Sequence, residues 1–130
     1  MAFKIANMRS AKERPTEQYI TTDNEVIALG EALVLTSGAL TKCGATAVPE
    51  FIAMEPAADQ AIINVVRVTE DMVFETTFAA DASAENVGEK VTLHTDGLQV
   101  TATNTNGVFY ITKKLGTGEV GTKVLGMFRR

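Results

Sequence analysis

Hydrophobic and polar residues alternate with a period of two along much of the chain, which is the pattern of half-buried β-strands. From residue 62 to residue 69, valine and isoleucine occupy both faces, so we predict a strand in the middle of a sheet with only Arg67 and Thr69 reaching outward. Alternation resumes over residues 72–79, after the acidic pair Glu70-Asp71. The sequence therefore predicts a β-hairpin that turns at this pair.

Shorter strands are separated by turn signals at intervals that suit a small barrel or a sandwich. Thr36-Ser37-Gly38 is the predicted turn of one hairpin, and Asp96-Gly97, a dipeptide that supplies the positive φ angles of a tight turn, is the predicted turn of another. The predicted strands are residues 32–35 and 39–42, residues 90–94 and 98–102, residues 108–112, and residues 123–128.

Composition supports the same fold class. Threonine, valine and isoleucine together make up over a quarter of the chain, and these β-branched residues favour strands over helices. Alanine-rich segments at residues 57–58 and 79–84 predict no more than a turn or two of helix. We expect a mainly β domain in a chain long enough to bury its own core.

Charge divides the chain unevenly although the net charge is only −4. Four bases and one acid give residues 1–14 a charge of +3, whereas six bases and fifteen acids give residues 15–128 a charge of −9. We therefore predict an extended N-terminal arm over residues 1–24 and a compact β domain over residues 25–130. An acidic body argues against general nucleic-acid binding, which needs a basic face.

Residues that carry catalytic chemistry are scarce. His94 and Cys43 are each the single residue of their type, so an ordinary zinc site, a disulfide within the chain and most nucleophile–base pairs are excluded. The run from Gly116 to Gly121 matches the GxGxxG pattern, but a strand follows it, which indicates a hairpin loop. We predict no enzyme activity, no cofactor and no metal.

The N-terminal sequence has no apolar block of signal-peptide length, and no segment approaches the ~20 apolar residues of a membrane span. We therefore expect a protein that starts at or near Met1, contacts no membrane and folds in a reducing compartment.

The run Leu29 to Gly44 (LGEALVLTSGALTKCG), followed by Glu50 to Glu55 (EFIAME), resembles the head decoration, or capsid cement, proteins of tailed bacteriophages. The later segments VGEKV at 87–91 and VGTKV at 120–124 are similar in style. The resemblance implies a small β-barrel or β-tulip-like domain and a structural function on the exterior of the virion capsid, after synthesis in the host bacterial cytoplasm. It also implies the major capsid protein as partner and a homo-oligomer, with a trimer favoured.

The N-terminal arm is the predicted capsid contact. It mixes apolar anchors with bases, and such a segment can order on binding to an acidic shell. The predicted contact residues are Phe3, Lys4, Ile5, Met8, Arg9, Lys12 and Arg14.

Other classes of function remain open. A small barrel that binds single-stranded nucleic acid would need aromatic platforms in a basic groove, which this acidic body does not favour. A ligand-binding module, or an enzyme subunit completed by a partner, is a second alternative. A tail or head–tail connector protein is a third, and it differs in its place in the particle rather than in its chemistry.

Overall fold

A computed structural model describes residues 2–8 and 17–129, and within these ranges all regular secondary structure is β. The mainly β prediction is thus confirmed, and the alanine-rich segments form no helix. The strands are β1 (Lys4–Met8), β2 (Glu17–Thr21), β3 (Ala32–Thr36), β4 (Ala39–Lys42), β5 (Phe51–Ala53), β6 (Ile62–Arg67), β7 (Met72–Thr77), β8 (Lys90–Val91), β9 (Phe109–Lys114) and β10 (Lys123–Phe128).

The strands form two five-stranded antiparallel sheets. Sheet 1 has the order β1-β7-β10-β9-β8, and sheet 2 has the order β2-β6-β5-β3-β4. The larger core lies between them and contains an aromatic cluster of Phe3, Phe74, Phe109 and Phe128. A second core cluster covers the other side of sheet 2, where Leu33, Phe51 and Val65 are buried. The arrangement is therefore sandwich-like, with sheet 2 packed on both faces.

The predicted barrel is wrong because sheet 2 does not close on itself. Its edge strands β2 and β4 meet only through a parallel bridge between Thr22 and Leu40, and the Asp23 N–H donates to the Leu40 carbonyl at 2.8 Å. In this register Thr21 lies beside Ala39, where β4 begins. Among the described residues, 17–20 of β2 pair with β6 and have no strand on their other side.

The β3–β4 hairpin is confirmed. Leu35 pairs with Leu40 and Thr36 with Ala39, and the turn uses positive φ angles of 51° at Ser37 and 84° at Gly38. Both angles belong to the tight turn whose twist matches that of the strands it joins. Local turn chemistry is sufficient to specify this element.

The predicted hairpin at Glu70-Asp71 is wrong. β6 is an interior strand, as expected, but it belongs to sheet 2, whereas β7 belongs to sheet 1 between β1 and β10. The chain therefore crosses from one sheet to the other at residues 68–71. Alternation identified both strands correctly, but it carries no information about which strands pair.

Only a short part of the predicted hairpin at Asp96-Gly97 forms. Leu93 and Val100 form a single antiparallel bridge beside this turn, and β8 pairs instead with β9. β9 and β10 pair directly, so the glycine-rich run between them is a hairpin loop, as predicted.

The predicted free arm is corrected for its described residues. β1 pairs with β7 at the edge of sheet 1, and β2 pairs with β6 at the edge of sheet 2. Phe3 is 2% exposed, and the Phe3 N–H donates to the Gly30 carbonyl at 3.0 Å. Burial of the phenylalanine ring outweighs the freedom of a terminal segment, so this part of the chain belongs to the fold.

Candidate attachment surface

The predicted contact residues separate into three groups. Phe3 is in the core and offers no surface, whereas Lys4 is exposed and Ile5 is half-buried on β1. Met8 ends β1, and its side chain lies outside the described part of the structure. The bases Arg9, Lys12 and Arg14 also lie outside the described residues. In sequence they connect the edge strand of sheet 1 to the edge strand of sheet 2.

An apolar pocket lies between β1 and the loop of residues 28–31. Its volume is about 300 Å³, and Leu29 stands at its wall with 57% of its surface exposed. Its lining is Ala2, Phe3, Lys4, Ile5, Leu29, Gly30, Ala53 and Met54. Lys4 supplies the charged group of this lining, so an apolar side chain with an acidic neighbour is the complementary partner chemistry.

The loop that carries Leu29 is held rigidly by a buried carboxylate. Glu31 is 1% exposed; its Oε1 accepts the Ala28 N–H at 3.1 Å and its Oε2 lies 3.1 Å from the Lys42 ammonium. The Gly30 N–H donates to the Ala53 carbonyl at 2.7 Å. The pocket wall is therefore preformed, which lowers the entropic cost of binding.

A second uncovered surface lies on sheet 2. Tyr19 and Ile62 are 70% and 69% exposed, although they share a face with Val66, which is buried against sheet 1. We call the exposed pair, Tyr19 and Ile62, the overhang; Asn64, which pairs with Tyr19, is half-buried beside it. The Met54 N–H donates to the Asn64 carbonyl at 2.8 Å, so the overhang adjoins the apolar pocket.

A larger groove of about 730 Å³ lies between the 46–50 segment and the 104–108 loop. Its lining combines the charges of Glu50 and Lys90 with the amides of Asn104 and Asn106 and an apolar set. That mixture is of the kind that orients a small polar ligand.

Cys43 is unsuited to act as a nucleophile at neutral pH. Burial, and next the negative charge of Glu50, raise the pKa of the Cys43 thiol to about 12, and its Sγ donates to the Ala47 carbonyl at 3.1 Å. The thiol is thus protonated at neutral pH and a poor nucleophile. His94 instead lies beside Asp96, with Nδ1 3.3 Å from the carboxylate.

Partial burial opposes the ionisation of Asp96, but hydrogen bonds from the Gln99 amide and the Leu98 N–H, together with nearby His94, outweigh it. The pKa of the Asp96 carboxyl therefore falls below its ordinary value. These contacts hold the turn at Asp96-Gly97 in place, so the Asp96 carboxylate has a structural role in this turn.

Two features are absent from the described ranges. No group of three or more histidine, cysteine, aspartate or glutamate side chains there could hold a metal ion. No helix there is long and apolar enough to cross a membrane. Comparison of the chain with protein-family models, with curated proteins and with solved structures finds no match.

Sequence reasoning missed Tyr19, Leu29, Met54 and Ile62. Ile62 sits in a run with apolar residues on both faces, which predicts burial, yet its side chain is exposed in the structure. No signal within that run could have shown the exposure, because it depends on which distant segments pack against the strand.

Proposed function

We propose that this chain is a structural virion protein that binds the outside of a phage capsid and stabilises joints between major capsid protein subunits. The observation that carries the proposal is the preformed apolar pocket beside β1. It places two residues of the predicted contact, Lys4 and Ile5, next to exposed Leu29. The resemblance to head decoration proteins supplies the partner, and the pocket supplies a surface for it.

The fold suits this task. Two packed antiparallel sheets with short strands and tight turns form a rigid body. The resemblance also favours a trimer on the capsid exterior, where several weak contacts add through multivalency. With Phe3 assigned to the core, the attachment uses Lys4, Ile5 and Leu29 instead.

The test is a binding assay on undecorated shells of the major capsid protein from the parent phage. Full-length protein is mixed with shells at rising concentration, and the occupancy is measured after sedimentation of the shells. Burial of a leucine side chain is worth ~1.5–3 kcal/mol, so Leu29→Asp should weaken binding by about tenfold or more.

The matched control is Val120→Asp. Val120 is 68% exposed on the β9–β10 loop, so the same charge is introduced at a comparable site distant in the chain from the pocket. We expect this variant to bind as the wild type does. Shells that take up no wild-type protein would refute the proposed function, and equal loss in both variants would refute the pocket as its site.

A second candidate, a ligand-binding module, is favoured by one observation. The groove beside Glu50 and Lys90 has a volume within the ~300–1,000 Å³ range of small-molecule sites. Native mass spectrometry of the purified protein tests this candidate. A stoichiometric bound molecule that is lost in Lys90→Ala supports it, whereas the bare chain mass throughout counts against it.

A further inference from the structure

The larger groove is lined from both sheets, at edges that carry neither β1 nor β2. One side of its lining is Val34 of β3 with residues of the 46–50 segment, and the other is Lys90 of β8 with residues of the 104–108 loop. β8 is the edge of sheet 1 opposite β1, and β3 lies next to β4, the edge of sheet 2 opposite β2. The groove shares no described lining residue with the apolar pocket beside β1, so the two surfaces can be tested separately.

Both sides of the groove are fixed by contacts of the backbone. The Leu35 N–H donates to Glu50 Oε1 at 3.1 Å, which ties the 46–50 segment to β3. The 104–108 loop rests directly on β8, because a Cβ atom on Gly107 would overlap the Lys90 carbonyl. A groove whose sides are already in place loses little conformational entropy when a ligand enters it.

The apolar part of the lining is continuous with the larger core. Val34 and Val48 are half-buried and pack against that core, and Val108 belongs to it with 4% of its surface exposed. An apolar side chain of a ligand that contacts these valines is therefore removed from water, which favours its binding.

The two charged groups of the lining have no charged partner within the described residues. The Lys90 side chain is half-buried there and forms neither an ion pair nor a hydrogen bond. Glu50 accepts the Leu35 N–H through Oε1, and its Oε2 has no partner in the same part of the chain. An ammonium offers only donors and a carboxylate only acceptors. The groove can therefore receive one anionic group and one cationic group.

We propose that this groove binds a short peptide that has apolar side chains and keeps both of its charged termini. Lys90 pairs with the terminal carboxylate, Glu50 pairs with the terminal ammonium, and the valines of the lining contact the side chains. A simple anion would leave Glu50 unpaired, and a simple cation would leave Lys90 unpaired, so the lining selects a zwitterion. The proposal rests on the second candidate function, ligand binding, and names its ligand class.

The test uses isotope-labelled full-length protein and the dipeptide leucyl-leucine. Amide chemical shifts are followed by NMR as the dipeptide is added to about 10 mM, and we expect a dissociation constant below about 1 mM. The shift changes should be concentrated at residues 46–50 and 104–108. Two modified dipeptides are titrated in parallel, an N-acetylated form without the ammonium and a C-terminal amide without the carboxylate. Each should bind about tenfold more weakly or worse, because one charged group loses its partner.

Two variants assign each charge of the ligand to its partner. Lys90→Met keeps the stem of the side chain without the ammonium, so it should bind the dipeptide and the amide form equally. Glu50→Gln keeps an oxygen that accepts the Leu35 N–H, so it should bind the dipeptide and the acetylated form equally. Each variant should retain the preference that the other loses. The matched controls, Lys113→Met and Glu119→Gln, are exposed and outside the described lining, and they should retain both preferences. The dispersion of the amide spectrum establishes that each variant is folded.

A protein that binds none of the three dipeptides at about 10 mM would overturn the proposal. So would equal binding of all three, or shift changes confined to the apolar pocket beside β1. A different molecule found by native mass spectrometry, together with no dipeptide binding, would overturn the peptide assignment and leave ligand binding itself intact. Lys90 is outside the described lining of the apolar pocket, so Lys90→Met should bind capsid shells as the wild type does. This result separates the proposal from capsid attachment.

Discussion

Replacing Phe3 with alanine tests whether the N-terminal segment is part of the fold. Phe3 is 2% exposed, and its ring centroid lies 5.1 Å from that of Phe128, 6.0 Å from that of Phe109 and 6.5 Å from that of Phe74. Truncation of a buried phenylalanine to alanine costs ~3–5 kcal/mol of unfolding free energy. For a chain of this size each kcal/mol lowers the melting temperature by about 4 °C. We therefore expect Phe3→Ala to melt about 10–20 °C below the wild type.

The assay is urea unfolding followed by circular dichroism, with thermal melting as a second measure. Lys4→Ala is the matched control, because Lys4 is the next residue along β1 and its side chain is exposed. Its unfolding free energy should change by about 0.5 kcal/mol or less. If Phe3→Ala loses less than about 1 kcal/mol, the aromatic cluster does not hold β1 and the segment acts as a loose arm after all.

Two further predictions concern ionised side chains. Lys42→Met leaves the buried Glu31 carboxylate without its cation, and because Lys42 is half-exposed to screening water we expect a loss of about 1–3 kcal/mol. Adding Glu31→Gln to this variant should restore part of that loss in urea unfolding, and strictly additive effects would show that the two side chains are not coupled. The lowered pKa of the Asp96 carboxyl means that its ionised form stabilises the fold above pH ~4, and this contribution is lost as the pH falls through the lowered folded-state value. Asp96→Asn should therefore flatten the fall in melting temperature on acidification, and parallel curves for variant and wild type would contradict the assignment.

Local signals in the sequence were sufficient for individual strands and for one complete hairpin. A strand or a tight turn is specified by residues that are close together in sequence. The structure accordingly contains the strands predicted within residues 62–69 and 72–79 and the turn at Ser37-Gly38. The partner of each strand depends on residues far away in sequence. β6 and β7 follow one another closely, yet they belong to different sheets.

The same limitation explains the error at the N-terminus. Four bases in fourteen residues gave the segment the charge pattern of an arm, and that pattern concealed the pairing of Ile5 with Phe74 in β1. For the candidate surface, sequence identified Lys4 and Ile5 but not Leu29 or Met54, because a pocket between separate segments exists only after they pack.

The position of Phe3 also constrains how the chain folds during synthesis. Lys4 pairs with Glu75, and the ring of Phe3 packs on that of Phe128, so β1 has no partner until most of the chain has been made. Pairing between such distant segments slows folding, because long loops must close before the contacts form. The growing polypeptide therefore carries an unshielded phenylalanine until β10 has left the ribosome. A product that stops before β10 exposes the remaining phenylalanine rings of the cluster, which makes it a target for aggregation or proteolysis.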